Sequence, residues 1–482
     1  MLEHYVPLPI GGIYYNLVPP SLIPDNACQM ALNMDFKTNK GFITRDGVGE
    51  VARLSSNVTF LGGFTKFNGQ TKVVAGDSSK LYSINPSNGA ISSLGSFSNS
   101  YSDPISYTNF TDKLLLVNKS NKLKTWDGVE STLTEVADSQ PAKHVRSFGA
   151  YVLLLHPVDS GNEVPQRIRW SVPGDLNDWT GPGSGFLDLV DTPDPIMNGL
   201  MYGSSFIVYK RNSVIILDIV GSGASTFRVT SAYTKAGMIS SRGLVDLGDS
   251  HVFLGHDNFY RFTGSPHLEP IGDPIWQLVQ EKGDWSKMGQ AHAVHDVYNH
   301  KAVFYIPLVH GWGVFNYDYK LEVWSYYKYP FDPLCSFYSI EHGNFLTSGN
   351  IICKTSGSYL TDLGTAINSE WVSKKFILED KNNVFQSEKF KRFLGIEVEI
   401  EGGNISGSLK YGNELKDNLD ELKDNLDFPS RTFPMLSDGD THIYKVDFDV
   451  SGKFAVIKIK SSGSNSRLSV RGFKLKYEMG GV

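Results

Sequence analysis

Cysteine is scarce: Cys28, Cys335 and Cys353 are the only three in 482 residues. Their odd number supports no disulfide framework and their spacing gives no zinc site, so the chain reads as one assembled in a reducing compartment. Long apolar runs are also missing. The most apolar stretches, 151–155 and 214–220, fall far short of the roughly 20 residues a membrane helix needs, so no membrane-spanning segment is expected. Residues 1–10, MLEHYVPLPI, lack a basic segment followed by an apolar one. No secretory signal is therefore expected, and the chain is expected to be made for the cytosol of the cell that translates it. Basic charge is nowhere concentrated: 45 Lys and Arg stand against 51 Asp and Glu, a net charge of −6. That argues against a protein that grips nucleic acid through its phosphates. Four glycosylation-type triplets, at Asn57, Asn109, Asn118 and Asn404, are no more than turn composition supplies by chance.

What the chain has is aromatic residues, glycine and turn residues. It carries 28 Phe, 23 Tyr and 8 Trp beside 47 Gly and 22 Pro, and 40% of it is hydrophobic. Disorder and a coiled-coil rod are excluded, and an all-β fold is indicated, because aromatic side chains fit a pleated surface while Gly and Pro close turns. From Asn57 onward, short apolar or alternating runs are separated by Gly, Asn, Asp and Ser. The first group, 58–97, contains Asn68-Gly69 and Ser87-Asn88-Gly89, which supply the positive φ of tight hairpins, and reads as a four-strand meander. Similar units follow at 105–136, 144–179, 196–233, 243–271, 291–329 and 337–377. About 320 residues divided into units of roughly 40 to 50 give about seven blades of a β-propeller. Six or eight blades remain open, and stacked sandwiches also suit evenly spaced strands.

Residues 1–56 hold Pro7, Pro9, Pro19, Pro20 and Pro24 and read as an extended arm ending in a strand at 41–45 that could close the propeller at 57–378. Beyond 379 the strands lengthen, and IEVEI at 396–400 and VIKIK at 456–460 alternate as an antiparallel β-sandwich over 379–482 requires. A perfect tandem repeat, ELKDNLD at 414–420 and again at 421–427, interrupts it. Leu415, Leu419, Leu422 and Leu426 lie 4, 3 and 4 apart, which lines them on one face of a helix about 21 Å long. Such a helix is marginal alone. Its stripe either packs on its own domain or contacts a neighbouring subunit or other protein, and a loop is the third reading.

Chemistry is hard to find. In HAVHDVYNH, at 292–300, a strand would point His292 and His295 to opposite faces, and as a helix the segment has no second ligand pair, so no metal site is expected. The Gly-rich pieces at 181–185 and 221–223 match neither a phosphate loop nor a nucleophile elbow. Ser171 to Trp179 approaches a sialidase-type Asp turn but breaks its order and occurs once. Carboxylates alone mean little among 51 acidic residues, since a glycosidase needs a pair about 5 to 10 Å apart. No catalytic residue, cofactor or metal is expected, and the chain is read as not an enzyme.

Several segments, in order, carry a likeness: NACQMALNMDFKTNKGFITR at 26–45, RIRWSVPGDLNDWT at 167–180, FIVYKRNSVIIL at 206–217, KAGM at 235–238, HVFLGHDNFYRFTG at 251–264 and PIGDPI at 270–275. Along most of its length the chain resembles the propeller tail-hub proteins of short-tailed bacteriophages, also called head-completion or packaged-DNA stabilisation proteins. The resemblance implies a propeller with an added C-terminal β domain and no catalytic residues. It also implies a hexameric ring in the virion tail, assembled in the host bacterial cytoplasm. Such a ring sits below the portal-adaptor protein, anchors tail fibre, spike or needle proteins, and extends a channel through which double-stranded DNA passes without specific binding. The duplicated heptad departs from that family. A propeller carbohydrate-binding adhesin is the alternative, and a propeller glycosidase a more remote one.

Overall fold

The computed structural model describes residues 1–221, 226–234, 236–264, 267–378, 389–412, 425–434, 440–463 and 467–480. It is an all-β β-propeller joined to a large mixed sheet, with one short α-helix among the described residues. Six blades stand as separate sheets. The first runs outward through Phe60–Thr65, Thr71–Gly76, Lys80–Ile84 and Ile91–Ser96 as an antiparallel meander, and its Asn68-Gly69 turn has Gly69 at φ +84°. The next four blades begin with the innermost strands Ser106–Phe110, Ala142–Phe148, Ile196–Tyr202 and Leu244–Asp246.

The last blade begins at Ser336–Ser339 and borrows its fourth strand from the N-terminus: Gly47–Arg53 lies antiparallel to Ile351–Ser356, with the short hairpin Thr361–Asp362 and Thr365–Ala366 beyond it. The segment expected to close the ring instead forms Gly41–Thr44, which pairs with Met34–Lys37 and with the strand Ser469–Met479. The closing strand is the next one along. Local alternation cannot separate the two, because both carry buried apolar side chains and only long-range pairing differs.

Between the fifth blade and the last lies a further meander, His292–Asp296, Lys301–Leu308, Gly311–Asp318 and Val323–Tyr327. It is not a separate sheet. Its outer strand runs parallel to Cys28–Leu32, with Leu32 opposite Tyr326, and the hydrogen bonding continues through Ser369–Phe376 and Phe454–Ser461 into Lys391–Gly412. The C-terminal strands thus form a mixed, fourteen-stranded sheet continuous with the propeller, instead of a free-standing antiparallel sandwich. Residues 1–46 are not an extended arm either: Leu2–Pro7, Cys28–Leu32, Met34–Lys37 and Gly41–Thr44 are all strands of this sheet.

Burial follows from stacking. The second strands, such as Lys113–Asn118, Ser205–Lys210 and Lys301–Leu308, are almost wholly buried, because blades pack face to face and cover both sides of a central strand. An apolar cluster fills each gap between consecutive meanders. Phe64, Leu81 and Trp126 join the first and second, Trp179, Val117 and Leu154 the second and third, and Phe337, Ile352 and Val73 the last and first. The largest cluster runs from Phe259 and Phe304 through Trp324 to Trp371 and Phe473, so one core serves propeller and sheet together. The helix Asp273–Lys282 plugs this core with Ile275, Trp276, Leu278 and Val279.

Lys391–Gly412, 22 residues long, pairs in its first half with His442–Gly452 and Ser469–Met479 and in its second with Asn425–Phe433 and Phe454–Ser461. The change of partner occurs at Gly403, where φ is +102° and a Cβ would lie 2.4 Å from the Arg467 carbonyl oxygen. Gly403→Val is therefore expected to destabilise the protein by about 2 kcal/mol or more, read as a lower urea midpoint, since strain and overlap act together. An unchanged midpoint would show that the bend tolerates a side chain.

Candidate interaction face and central cavity

Two features of the propeller present side chains to the outside. The first is a face. Each meander runs from the axis outward, so the turn after its innermost strand and the turn between its third and fourth strands emerge on the same side. Hydrogen bonds link these turns from blade to blade: Phe67 N donates to Asp112 Oδ1 at 2.6 Å, Lys66 Nζ to the Asp127 carbonyl at 2.7 Å, and Tyr298 N to Tyr338 Oη at 3.1 Å. At the tips of these turns sit Phe67, Val129, Tyr298 and Ile340, exposed to 83, 75, 85 and 80%. A large side chain at a turn tip contributes nothing to its own core, and four of them emerge on one face of the propeller.

The second feature is a cavity of about 310 Å³ on the propeller axis. Its wall is made by the innermost strand of each meander or the residues just before it, among them Phe60, Ser106, Arg146, Asn198, Arg242, His292 and Ser336. Arg146 ties neighbouring blades together: Nε donates to the Gly199 carbonyl at 3.0 Å and Nη1 to Ser106 Oγ and the Tyr107 carbonyl, both at 3.1 Å. Arg242 Nη2 donates to the Gln290 carbonyl at 2.8 Å. His292 is buried and stacks on Tyr305 at 4.8 Å. His295, on the same strand, turns to the other side, where Nε2 lies 3.1 Å from Tyr319 Oη. The two histidines therefore diverge as a strand requires. Among the described residues no group of three His, Cys, Asp or Glu could hold a metal ion.

Where the N-terminal segment crosses the propeller, buried charges meet. Lys301 Nζ lies 2.5 Å from Asp35 Oδ1, with Lys37 at 3.3 Å from the other oxygen. Burial alone would raise the Asp35 carboxyl, but the two lysines outweigh it and hold the group below the usual carboxylate range. Burial also lowers His144, His156, His251, His292 and His295 below the ordinary histidine value, His144 and His292 most strongly. A pH dependence follows. Above about pH 6.5 these rings are neutral folded or unfolded; below it the unfolded chain takes up protons that the fold refuses. Stability should then fall by up to about 1.4 kcal/mol per pH unit for each ring. A second loss should begin below about pH 4, where Asp35 protonates in the unfolded chain before it does in the fold. Urea titrations between pH 8 and 3 check both windows, and a flat profile from 7.5 to 5.5 would contradict the first.

The remaining sequence candidates are structural or undescribed. Trp179, in the sialidase-like turn, is buried between blades, its indole donating to the Leu176 carbonyl at 2.9 Å, while Asp178 Oδ1 accepts the amides of Thr180 and Gly181. Arg167 clamps Asp188 and Asp159 and lies 4.0 Å over the Phe186 ring. All three cysteines are free and buried. Of the leucine stripe, Leu415, Leu419 and Leu422 lie outside the described residues. Leu426 does not belong to a helix: it sits opposite Leu409 in the strand Asn425–Phe433, packed against the main core. The turn-tip face and the axial cavity escaped sequence reading. A polar residue on each innermost strand was the available signal for the cavity.

No protein-family model matches the chain, and no curated protein sequence is similar to it. Solved structures are similar in fold alone. The WD40 domain of Neurospora crassa Pan2 is 10% identical over 66% of this chain and 97% of that one, with a TM-score of 0.42. BamB from Moraxella catarrhalis is 12% identical over 68% of this chain and 94% of that one, at 0.39, and a streptogramin B lyase 11% identical over 65% and 98%, at 0.42. The chain is a β-propeller by the arrangement of its own sheets.

Proposed function

We propose that this chain is a non-enzymatic structural protein of a bacteriophage tail, whose copies assemble into a ring that extends or seals the DNA channel below the portal-adaptor. The observation that carries the reading is the row of exposed turn tips, Phe67, Val129, Tyr298 and Ile340, on one propeller face, which fits a second copy of the same chain as the covering partner. The order of the sequence segments supports it, and so does the architecture that their resemblance implies, a propeller with an added β domain. We count the propeller as seven-bladed, with 292–327 as the sixth blade, because its apolar clusters join it to the blades on both sides.

The DNA path in such a ring runs between copies. An axial cavity of about 310 Å³ cannot admit a duplex, so the propeller axis is not the conduit. The net charge of −6 suits passage without binding, since a basic lining would hold phosphates and add friction. The resemblance makes the ring a hexamer that carries fibre, spike or needle proteins.

Replacing Phe67, Val129, Tyr298 and Ile340 together by Ser is expected to leave the melting temperature within a few degrees, because isolated surface changes are worth about 0.5 kcal/mol or less each. The same change is expected to abolish association, which needs an interface of about 1,000 Å² or more. Sedimentation of the wild type and the variant checks this. An oligomer that persists unchanged in the variant would remove this face from the assembly, and a wild-type monomer that binds glycans would favour an adhesin instead.

A further inference from the structure

The axial cavity has an unbalanced charge. Its wall carries the charged Arg146 and Arg242, beside the neutral rings of His144 and His292, but no Asp or Glu, and among the described residues neither arginine forms an ion pair. In a protein of net charge −6 this is the reverse of the average surface. The donors are held in place. Arg146 is fixed by backbone carbonyls and Ser106 through Nε and Nη1, which leaves Nη2 without a hydrogen bond. Arg242 uses Nη2 on the Gln290 carbonyl. Burial lowers the Arg146 guanidinium to about 10, which still leaves it charged at neutral pH.

We propose that the propeller axis holds an oxyanion of the phosphate or sulfate class, bound by Arg146 and Arg242. Half-buried guanidinium groups without counter-charge favour an anion beside them, and the planar arginine fork matches the several oxygens of such an ion. The cavity, about 310 Å³, has room for the free ion or for a phosphate carried on a small sugar, but not for a nucleic acid strand. The site ties the blades at their narrowest point, so its occupant stabilises the ring of blades by binding the folded state alone.

The test uses the full chain, with inorganic phosphate, sulfate and glucose phosphate as probes against chloride at equal ionic strength. Calorimetry is expected to show one site per chain, and melting is expected to rise by several degrees at about 100 times the dissociation constant. Tighter binding of the sugar phosphate assigns the site to a phosphorylated small molecule, and equal binding to the free ion. Arg242→Gln is expected to weaken binding about tenfold or more while the variant remains folded. Arg146→Gln removes blade ties as well, so the Arg242 variant carries the decision if it does not fold. Wild-type melting that is the same in phosphate and chloride, or an Arg242→Gln protein that responds as the wild type does, overturns the site.

Discussion

A chain that begins at Leu54 is expected not to fold. The missing residues contain the fourth strand of the last blade and four strands of the large sheet, and all but Met34–Lys37 pair with strands about 300 or more residues away in sequence. Among them, Val6, Cys28, Ala31, Met34, Phe36, Phe42 and Val48 are buried to 2% exposure or less. Truncating a buried Leu, Met or Phe costs about 2–5 kcal/mol each, and the whole stability of a domain is about 5–15 kcal/mol. The loss of several together exceeds what the fold has to give, and it also opens the sheet edge at Ile351–Ser356. The truncated chain should aggregate and lack a cooperative unfolding transition by calorimetry. A soluble protein with a sharp transition would mean that the N-terminal strands decorate a propeller that closes without them.

The second large effect is expected at a single side chain. Asp362→Ala should destabilise the protein by about 3–5 kcal/mol, because it strands a buried guanidinium. Arg45 is 2% exposed and reaches both Asp362 oxygens, at 2.9 and 2.5 Å. It also donates through Nε to Asn33 Oδ1 at 2.9 Å and lies 4.2 Å over the Tyr329 ring. Three parts of the chain meet at this one group: the N-terminal segment, the end of the 292–327 meander, and the hairpin Thr361–Asp362 and Thr365–Ala366. Arg45→Met with Asp362→Leu should cost much less than Asp362→Ala alone, since replacing both partners removes the stranded charge. Urea unfolding of the three proteins checks the ordering. A loss below about 1 kcal/mol for Asp362→Ala would show that solvent reaches the guanidinium.

Much of the propeller was legible because its turns are local chemistry. Asn68-Gly69, Asp127-Gly128 and Asp257-Asn258 each separate strands that pair with their immediate neighbours, so period and turn residues place them correctly. The large sheet was harder, since Leu2–Pro7 finds its partner at Ser469–Met479 and no local signal announces it. The prolines that suggested an extended arm sit at the end of that edge strand and in the loops after it, where a missing N–H does no harm. The helix Asp273–Lys282 had a readable start, with Pro274 in its first turn and apolar residues at 275, 276, 278 and 279, but it is short enough to pass for a connection between strands. The alternation at 396–400 belongs to a much longer strand, Lys391–Gly412, which bends at Gly403. The interaction face lay beyond sequence because exposed aromatic residues in turns look the same whether or not blades gather them on one side.

For the proposed tail role, the most direct measurement is the mass of the purified protein, combined with electron microscopy of bacteriophage particles produced in cells that carry its gene. The account predicts a ring of copies of the 53.4 kDa chain in the tail, below the portal, with DNA running through the ring and not through the axis of any propeller. A protein that stays monomeric and is absent from purified particles would contradict it.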